Sequence, residues 1–390
     1  MNTVMHGRAA WIEDRVLTWC FGGGAIPSGA PLTFGAELEL LAVHARHHTP
    51  MPIFGDVGTL HLVRAVARRL SWRETLSPKG VPRFVGVAGG SLTFEPGGQL
   101  EYASAVHRSV HGVLGELCCV ETALHDAARE CGVSLLACGV DPFNGPEHAG
   151  LQLVADRYQR MATYFESIGP AGARMMRQTA SLQLNVGGIP TSERFAVANA
   201  IAPWLVALFA NSPRYAGHDM DCASYRSETW RRVDSSRTGV MEGDDAVREY
   251  AAFAGNANAF LADPAAPPFA RLDDRLVNDA SLATHLSTLF PEVRPRGYLE
   301  VRCIDALDGA SRSAAMAVVA GILADPVAAA EAASLVGAPD ADLLRRAARE
   351  GLREQRIATT VDDLVAIALD GCARLGAEIV SEAVLSEVCV

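Results

Sequence analysis

The sequence predicts an α+β fold: an antiparallel sheet with one carboxylate-lined face, covered by helices. Two observations predict it. Short segments alternate apolar and polar residues with a period of two, and their acidic residues fall on one side. Longer segments repeat apolar residues at steps of three and four, and these dominate the chain from about residue 311. No repeat, low-complexity block or long charged run divides the 390 residues. Residues 1–390 are therefore expected to form a single catalytic domain, with loops at the Pro/Gly clusters 22–31, 142–150 and 264–268.

The first strand is Phe34-Gly35-Ala36-Glu37-Leu38-Glu39-Leu40. Alternation puts Phe34, Leu38 and Leu40 in the apolar register and both glutamates on the other face. Ser91 to Glu95 and Gln99 to Tyr102 flank the turn Pro96-Gly97-Gly98 and read as a hairpin. Leu92, Phe94, Leu100 and Tyr102 face the apolar side, and Glu95, Gln99 and Glu101 share the opposite one. From Val106 to Cys131 the apolar residues recur at helical spacing, a stripe that Cys118 adjoins, so packing is its expected role. Ser181 to Val186 alternates as a strand, with Ser181, Gln183 and Asn185 together, and Phe195 to Ala210 reads as a helix. Tyr298 to Cys303 is the last strand and sets Glu300 beside Arg302. Helices are expected over 311–323, 326–334, 340–355 and 361–385.

Charge excludes several functions. Against 34 basic residues stand 45 acidic ones, a net charge of −11, and there is no basic stripe for a nucleic-acid backbone. Lys79 is the only lysine. It is followed by Gly80 rather than Ser or Thr, so a P-loop is ruled out, and any Schiff-base chemistry would fall on that one residue in the turn-like run Ser77-Pro78-Lys79-Gly80. The longest apolar run, 314–324, is too short to span a bilayer, and the N-terminal residues lack a secretory pattern. Nine irregularly spaced cysteines fit a reduced, cytoplasmic protein.

Collected, the strands offer Glu37, Glu39, Glu95, Glu101 and Glu300, with Arg302 as the one opposing charge on them and Gln183 and Asn185 as neutral donors. Two carboxylates ~6 Å apart repel by roughly 3 kcal/mol at an effective dielectric near 20. Five converging ones need cations, and hard oxygen donors select Mg²⁺ or Mn²⁺, typically joined to substrate phosphates. On spacing alone, a metal–phosphate site and the plain wet face of a half-buried sheet remain equal alternatives.

A set of motifs separates them. Gly35-Ala36-Glu37-Leu38-Glu39 resembles the opening G-x-E-x-E of the plant and actinobacterial glutamate–cysteine ligase family. Phe94-Glu95-Pro96-Gly97-Gly98-Gln99-Leu100-Glu101 is similar to its EPGGQ-x-E signature. Met175-Met176 with Thr179 and Gln183-Leu184-Asn185 resembles M-M-x-x-T…Q-V-N. Ala210-Asn211-Ser212-Pro213, Ser224-Tyr225-Arg226-Ser227 with Trp230 and Asp234, and Arg237-Thr238-Gly239 continue the series. Phe290 to Arg294 and Tyr298 to Arg302 complete it, in family order over about residues 34 to 325.

The resemblance implies a glutamine-synthetase-like fold and an ATP-dependent ligase that activates the glutamate γ-carboxylate as an acyl phosphate and joins it to the amine of cysteine. Its implied metal ligands are Glu37, Glu39, Glu95, Glu101 and Glu300, for Mg²⁺ or Mn²⁺. Glu300 and Arg302 are the implied catalytic pair, with Arg302 as a planar phosphoryl clamp. Gln99, Arg177, Gln183, Asn185, Arg226 and Arg237 are the implied contacts to glutamate or ATP. The expected partners are small molecules, with neither nucleic acid nor membrane. Glutathione or ergothioneine synthesis is the implied setting.

The chain departs from the family pattern at Gly187, where an aspartate is usual, at Gln178, where plant members carry arginine, and at Tyr102 to Ala105. A different amine acceptor is thus the alternative, and a ligand-binding homologue without catalysis a third reading. His44, His47 and His48 read as a loop cluster, and His218 to Cys222 as a loop over substrate. Arg231, Arg232 and Arg237 form the densest basic patch, which the motif context assigns to phosphate. The glycines at 22–24 are followed by prolines and open no phosphate-binding helix.

Overall fold

The computed structural model describes residues 2–24, 30–77, 80–189 and 191–388. Pro78 and Lys79, within the turn read from the sequence, lie outside the described residues. Nine strands form one antiparallel sheet: β1 (Thr33–His44), β2 (Arg73–Leu76), β3 (Pro82–Val85), β4 (Ser91–Phe94), β5 (Leu100–Ala103), β6 (Val133–Leu136), β7 (Ser181–Gly187), β8 (Val293–Pro295) and β9 (Leu299–Asp305). Their order is β8-β9-β7-β1-β5-β4-β3-β2, with β6 pairing the far half of β1.

This order brings the acidic strands together. Glu39 stands opposite Glu101 across β1 and β5, Glu37 opposite Gln183 across β1 and β7, and Glu300 opposite Asn185 across β7 and β9. The alternate residues Leu38, Leu40, Leu92, Phe94, Leu100, Leu182, Leu184 and Val301 are all buried. Each such side chain contributes about 1.5–3 kcal/mol when fully buried, so a one-residue slip would expose the whole set and carry the carboxylates into the core. Helices Val110–Glu130, Thr191–Leu208 and Gly309–Ala324 pack against this sheet, and helices Asp156–Ile168 and Pro170–Gln178 pack on each other.

The hairpin at residues 91–102 forms in the expected register, Phe94 opposite Leu100 and the Glu95 N–H donating to the Gln99 carbonyl at 2.9 Å. Its two glycines are required for different reasons. Gly98 has φ of 97°, and a Cβ on Gly97 would lie 2.2 Å from the Arg177 carbonyl oxygen. The turn thereby touches the helix that carries Met175 and Met176.

Several elements differ from expectation. The helix read from Val106 starts at Val110, because Ser109 caps it by accepting from the Gly112 N–H and Val106 is 77% exposed. Cys118 and Cys119 are exposed, since Leu117, Val120 and Leu124 fill the buried stripe, so the packing role expected for Cys118 is not found. The segment 340–355 breaks at Gly351, whose φ of 59° ends the helix Ala341–Glu350, and a separate helix runs Gln355–Leu375 under a Glu354 cap. Among the described residues no single helix is long and apolar enough to cross a membrane; the apolar pair Gly309–Ala324 and Pro326–Val336 is bent by 99° and largely buried.

Candidate active site

Period-two geometry and the strand order place Glu37, Glu39, Glu95 and Glu101 on the walls of one cavity of ≈ 190 Å³. Gln99, Gln183 and Arg302 line it as well. Met161, Met175, Met176 and Trp230 line it from helices, along with Arg157 and Tyr158, and Phe290 lines it from a short strand. The four carboxylates are half-buried, and their protonation reflects their crowding. Burial and the neighbouring Glu95 charge lift Glu39 to about 7. Burial raises Glu101 well above the usual carboxylate range, reinforced by Glu95, Glu37 and Glu39, and a side-chain hydrogen bond joins it to Glu95. Burial and Glu300 raise Glu37.

Such a cavity takes up either protons or cations. Among the described residues no group of three or more His, Cys, Asp or Glu side chains is arranged to hold a metal by itself. The donor set is instead open and all-oxygen, as suits an ion that completes its shell with phosphate oxygens and water. Linkage gives a testable sign. The folded pKa of Glu39 lies above its ordinary 4.5, so the stability it contributes is present below that value and lost as pH rises through about 7. At about 1.4 kcal/mol per unit, the loss is ~3 kcal/mol for the metal-free protein. Thermal melting without metal is expected to fall between about pH 5 and pH 8, and Mg²⁺ is expected to restore it at the upper end. A pH-independent melting temperature would contradict this.

Arg302 bonds to Gln183 and donates to Glu300 at 2.9 Å. Gln183 in turn donates to Glu39 at 3.3 Å, and the Ser181 N–H donates to the other Glu39 oxygen at 2.7 Å. Arginine, glutamine and carboxylate are therefore linked across three strands. Glu300 is 0% exposed and does not line the cavity. Arg294 at 2.6 Å, Arg302 at 2.9 Å and Arg296 at 3.2 Å surround it. Burial works against its charge, but Arg294 and Arg302 hold it ionised at about 2. Glu300 as found here organises arginines, and the structure sets it apart from the other four expected metal ligands.

Four further expected contacts lie off the cavity. Arg237, 0% exposed, is bound to Asp234 at 2.9 Å and to the Thr288 carbonyl at 2.7 Å, with Phe260 against its guanidinium. Its partners bind it within the fold. Arg231 and Arg232 both pair with Glu228, so one buried carboxylate holds these two arginines of the expected phosphate patch. Arg177 pairs with Glu166 at 2.8 Å, turned away by the helix that Gly97 touches. Arg226 donates to the Arg302 carbonyl at 2.8 Å, and Asn185 sits beside Gly35 at the end of the sheet face, outside the cavity lining. His218 and Asp219 are exposed and do not line the cavity either.

The departures from the family pattern also fall outside the cavity lining. Gln178 is buried between the Asn144 carbonyl and the Tyr215 hydroxyl. At Gly187, a Cβ would lie 2.4 Å from the Thr33 hydroxyl oxygen, which fills that place.

Sequence reasoning missed Arg157. It lies in the first turn of helix Asp156–Ile168 and donates to Ser287 at 2.8 Å. It forms no ion pair among the described residues, and burial lowers its pKa. With Ser287 and Arg294, Arg157 also borders an adjoining cavity of ≈ 560 Å³ walled by Trp19, Tyr250 and Arg296. A carboxylate-lined cavity thus meets an arginine-lined one. The available signal was the amphipathic run from Tyr158 through Met161 and Ala162 to Phe165, all buried.

The sequence signature of glutamate–cysteine ligase family 2 matches residues 33–388. The chain is 34% identical over 334 residues to glutamate–cysteine ligase EgtA of Mycolicibacterium smegmatis, an alignment covering 80% of this chain and 76% of that one. It is 28% identical over 269 residues to the chloroplastic glutamate–cysteine ligase of Arabidopsis thaliana, covering 63% and 51% of the two chains. The crystal structure of glutamate–cysteine ligase from Francisella tularensis in complex with AMP has the same fold. Its TM-score is 0.52, with 92% of this chain and 82% of that one covered at 14% identity.

Proposed function

We propose that this chain, which belongs to glutamate–cysteine ligase family 2, uses ATP to activate the glutamate γ-carboxylate and joins it to the amine of cysteine. The supporting observation is the convergence of Glu37, Glu39, Glu95 and Glu101 on one cavity that also receives Arg302 and Gln183. Those four carboxylates would hold Mg²⁺ or Mn²⁺. Bound there, the ion would offset the repulsion between ATP and the incoming carboxylate and stabilise charge on the transferred phosphoryl group.

A carboxylate is a poor acyl donor, so amide formation needs activation. The γ-carboxylate oxygen bonds to the terminal phosphorus of ATP as the bond to ADP breaks. The amine then attacks the acyl carbon, and phosphate departs as the amine loses a proton. The planar guanidinium of Arg302 would clamp the phosphoryl group. Gln183, held by Arg302 and Glu39, orients the glutamate carboxylate. Gln99 fixes the hairpin rather than the substrate, because its amide donates to the Thr179 carbonyl at 2.9 Å and accepts from the Gly97 N–H. The arginine-lined cavity, where Arg157 forms no ion pair among the described residues, offers the compensating charge for an anionic substrate that spans both cavities. No side-chain nucleophile is needed, since the attacking group belongs to the second substrate.

A second reading keeps the activation chemistry and changes the amine; the replacement of the usual aspartate by Gly187 motivates it. Phosphate release measured with ATP, Mg²⁺, glutamate and a panel of amines separates the two. Turnover that depends on glutamate and is highest with cysteine is expected. Turnover only with another amine would move the assignment to the second reading, and no ATP turnover with any pair would sink both.

A further inference from the structure

Strand β9 does not pair evenly with β7. Val301 faces Leu184 and Ile304 faces Leu182, so β9 uses three residues where β7 uses two, and Arg302 and Cys303 occupy the bulge. A bulge re-aims a side chain and increases local twist. Arg302, which alternation sets on the same face as Glu300, lies within this bulge and reaches Gln183 and the carboxylate cavity.

Directly after the bulge stands Asp305, 1% exposed and outside the cavity lining. Its carboxylate accepts from the Ser212 hydroxyl at 2.6 Å, the Asn211 N–H at 2.7 Å and the Ser224 hydroxyl at 2.9 Å. Arg226 closes the circuit. Its N–H donates to the Ser212 hydroxyl at 3.1 Å, its guanidinium lies 3.8 Å from Asp305, and the same guanidinium donates to the Arg302 carbonyl at 2.8 Å. The carboxylate fits only because residue 139 is glycine: a Cβ there would lie 2.4 Å from the Asp305 carboxyl carbon. A buried ionic group is a poor source of stability by itself, since apolar replacements often do as well. This one ties both ends of the bulge to one loop system.

We propose that Asp305 is a positioning residue, whose network with Ser212, Ser224 and Arg226 holds the β9 bulge so that Arg302 is aimed into the carboxylate cavity. The proposal rests on the reading of Arg302 as the phosphoryl clamp.

Its test combines Asp305→Asn, which keeps the shape and removes the charge, with Arg302→Lys. A misplacement of about 1 Å at a reacting group costs up to ~100-fold in rate, so Asp305→Asn is expected to lower kcat by roughly 30- to 100-fold with KM for ATP and glutamate within about threefold. In the double variant the loss is expected to match that of Arg302→Lys alone, because both act through one guanidinium. Multiplying losses, or a kcat within about threefold of the parent, would overturn the proposal. Should Asp305→Asn fail to fold, Ser212→Ala with Ser224→Ala removes two donors and leaves the carboxylate, with the same expectation. Crystal structures of these variants decide the geometry without any turnover. Withdrawal of Arg302 from Gln183 in an otherwise unchanged sheet supports the proposal, and an unmoved Arg302 refutes it. An inactive parent enzyme would sink the ligase reading, and the crystallographic result would still decide the positioning claim.

Discussion

Glu101→Gln is expected to lower kcat by about 10³-fold while leaving the metal-free protein at least as stable as the parent. Removing one preorganised electrostatic contact from a transition state typically costs 10²–10³-fold. Here the substitution also deletes one of the four anionic donors, so the Mg²⁺ concentration for half-maximal activity should rise about tenfold or more. The stability effect has the opposite sign. Burial disfavours the charge of the half-buried Glu101, and the neighbouring Glu95, Glu37 and Glu39 add to that. A neutral amide of equal size relieves that repulsion. A carboxylate kept for folding would behave otherwise, losing melting temperature and activity together. Steady-state kinetics over a Mg²⁺ series, paired with melting in EDTA, checks both signs; unchanged activity would show that the cavity is not where the metal acts.

Arg302→Ala should abolish most turnover, with a loss of ~10³-fold or more, the range seen when an arginine that stabilises a transferring phosphoryl group is removed. The loss is expected in kcat more than in KM, because the clamp acts on charge that develops during transfer. Arg302→Lys should recover only part, since an ammonium cannot reproduce a planar fork. Arg294 and Arg296 remain on Glu300 in either variant, which keeps that buried charge compensated. Pre-steady-state phosphate release distinguishes the outcomes. If Arg302→Ala raised KM for ATP and left kcat intact, the side chain would be a ground-state binding contact instead.

The carboxylate face was legible because it is a matter of parity. Once Glu37 and Glu39 alternate with Leu38 and Leu40, or Glu95 and Glu101 with Phe94 and Leu100, burial of the apolar set fixes where the acids point. Gly97 and Gly98 advertised the turn that brings the halves together. Arginine roles were not legible in the same way. Arg237, Arg226 and Arg177 are defined by Asp234, Asp305 and Glu166, at sequence separations from 3 to 79 residues, and only the first of these partners is local. The motif order singled out Arg226 and Arg237 without showing what they touch. Glu300 illustrates the intermediate case. Arg294 faces it across the β8–β9 hairpin, so a short turn between two strand signals would have predicted the pair, but the third partner comes from the same strand and the buried depth from packing. Arg157 escaped because a charged residue at the start of an amphipathic helix looks like a solvated end until the facing strands are in place.

The most direct test of the central claim, that the four-glutamate cavity holds the divalent ion, is anomalous diffraction from crystals grown with Mn²⁺ and a non-hydrolysable ATP analogue. The account predicts Mn²⁺ peaks within ligand distance of oxygens from Glu37, Glu39, Glu95 and Glu101, with phosphate oxygens completing the shell. Nucleotide bound with no Mn²⁺ peak at these carboxylates would contradict it.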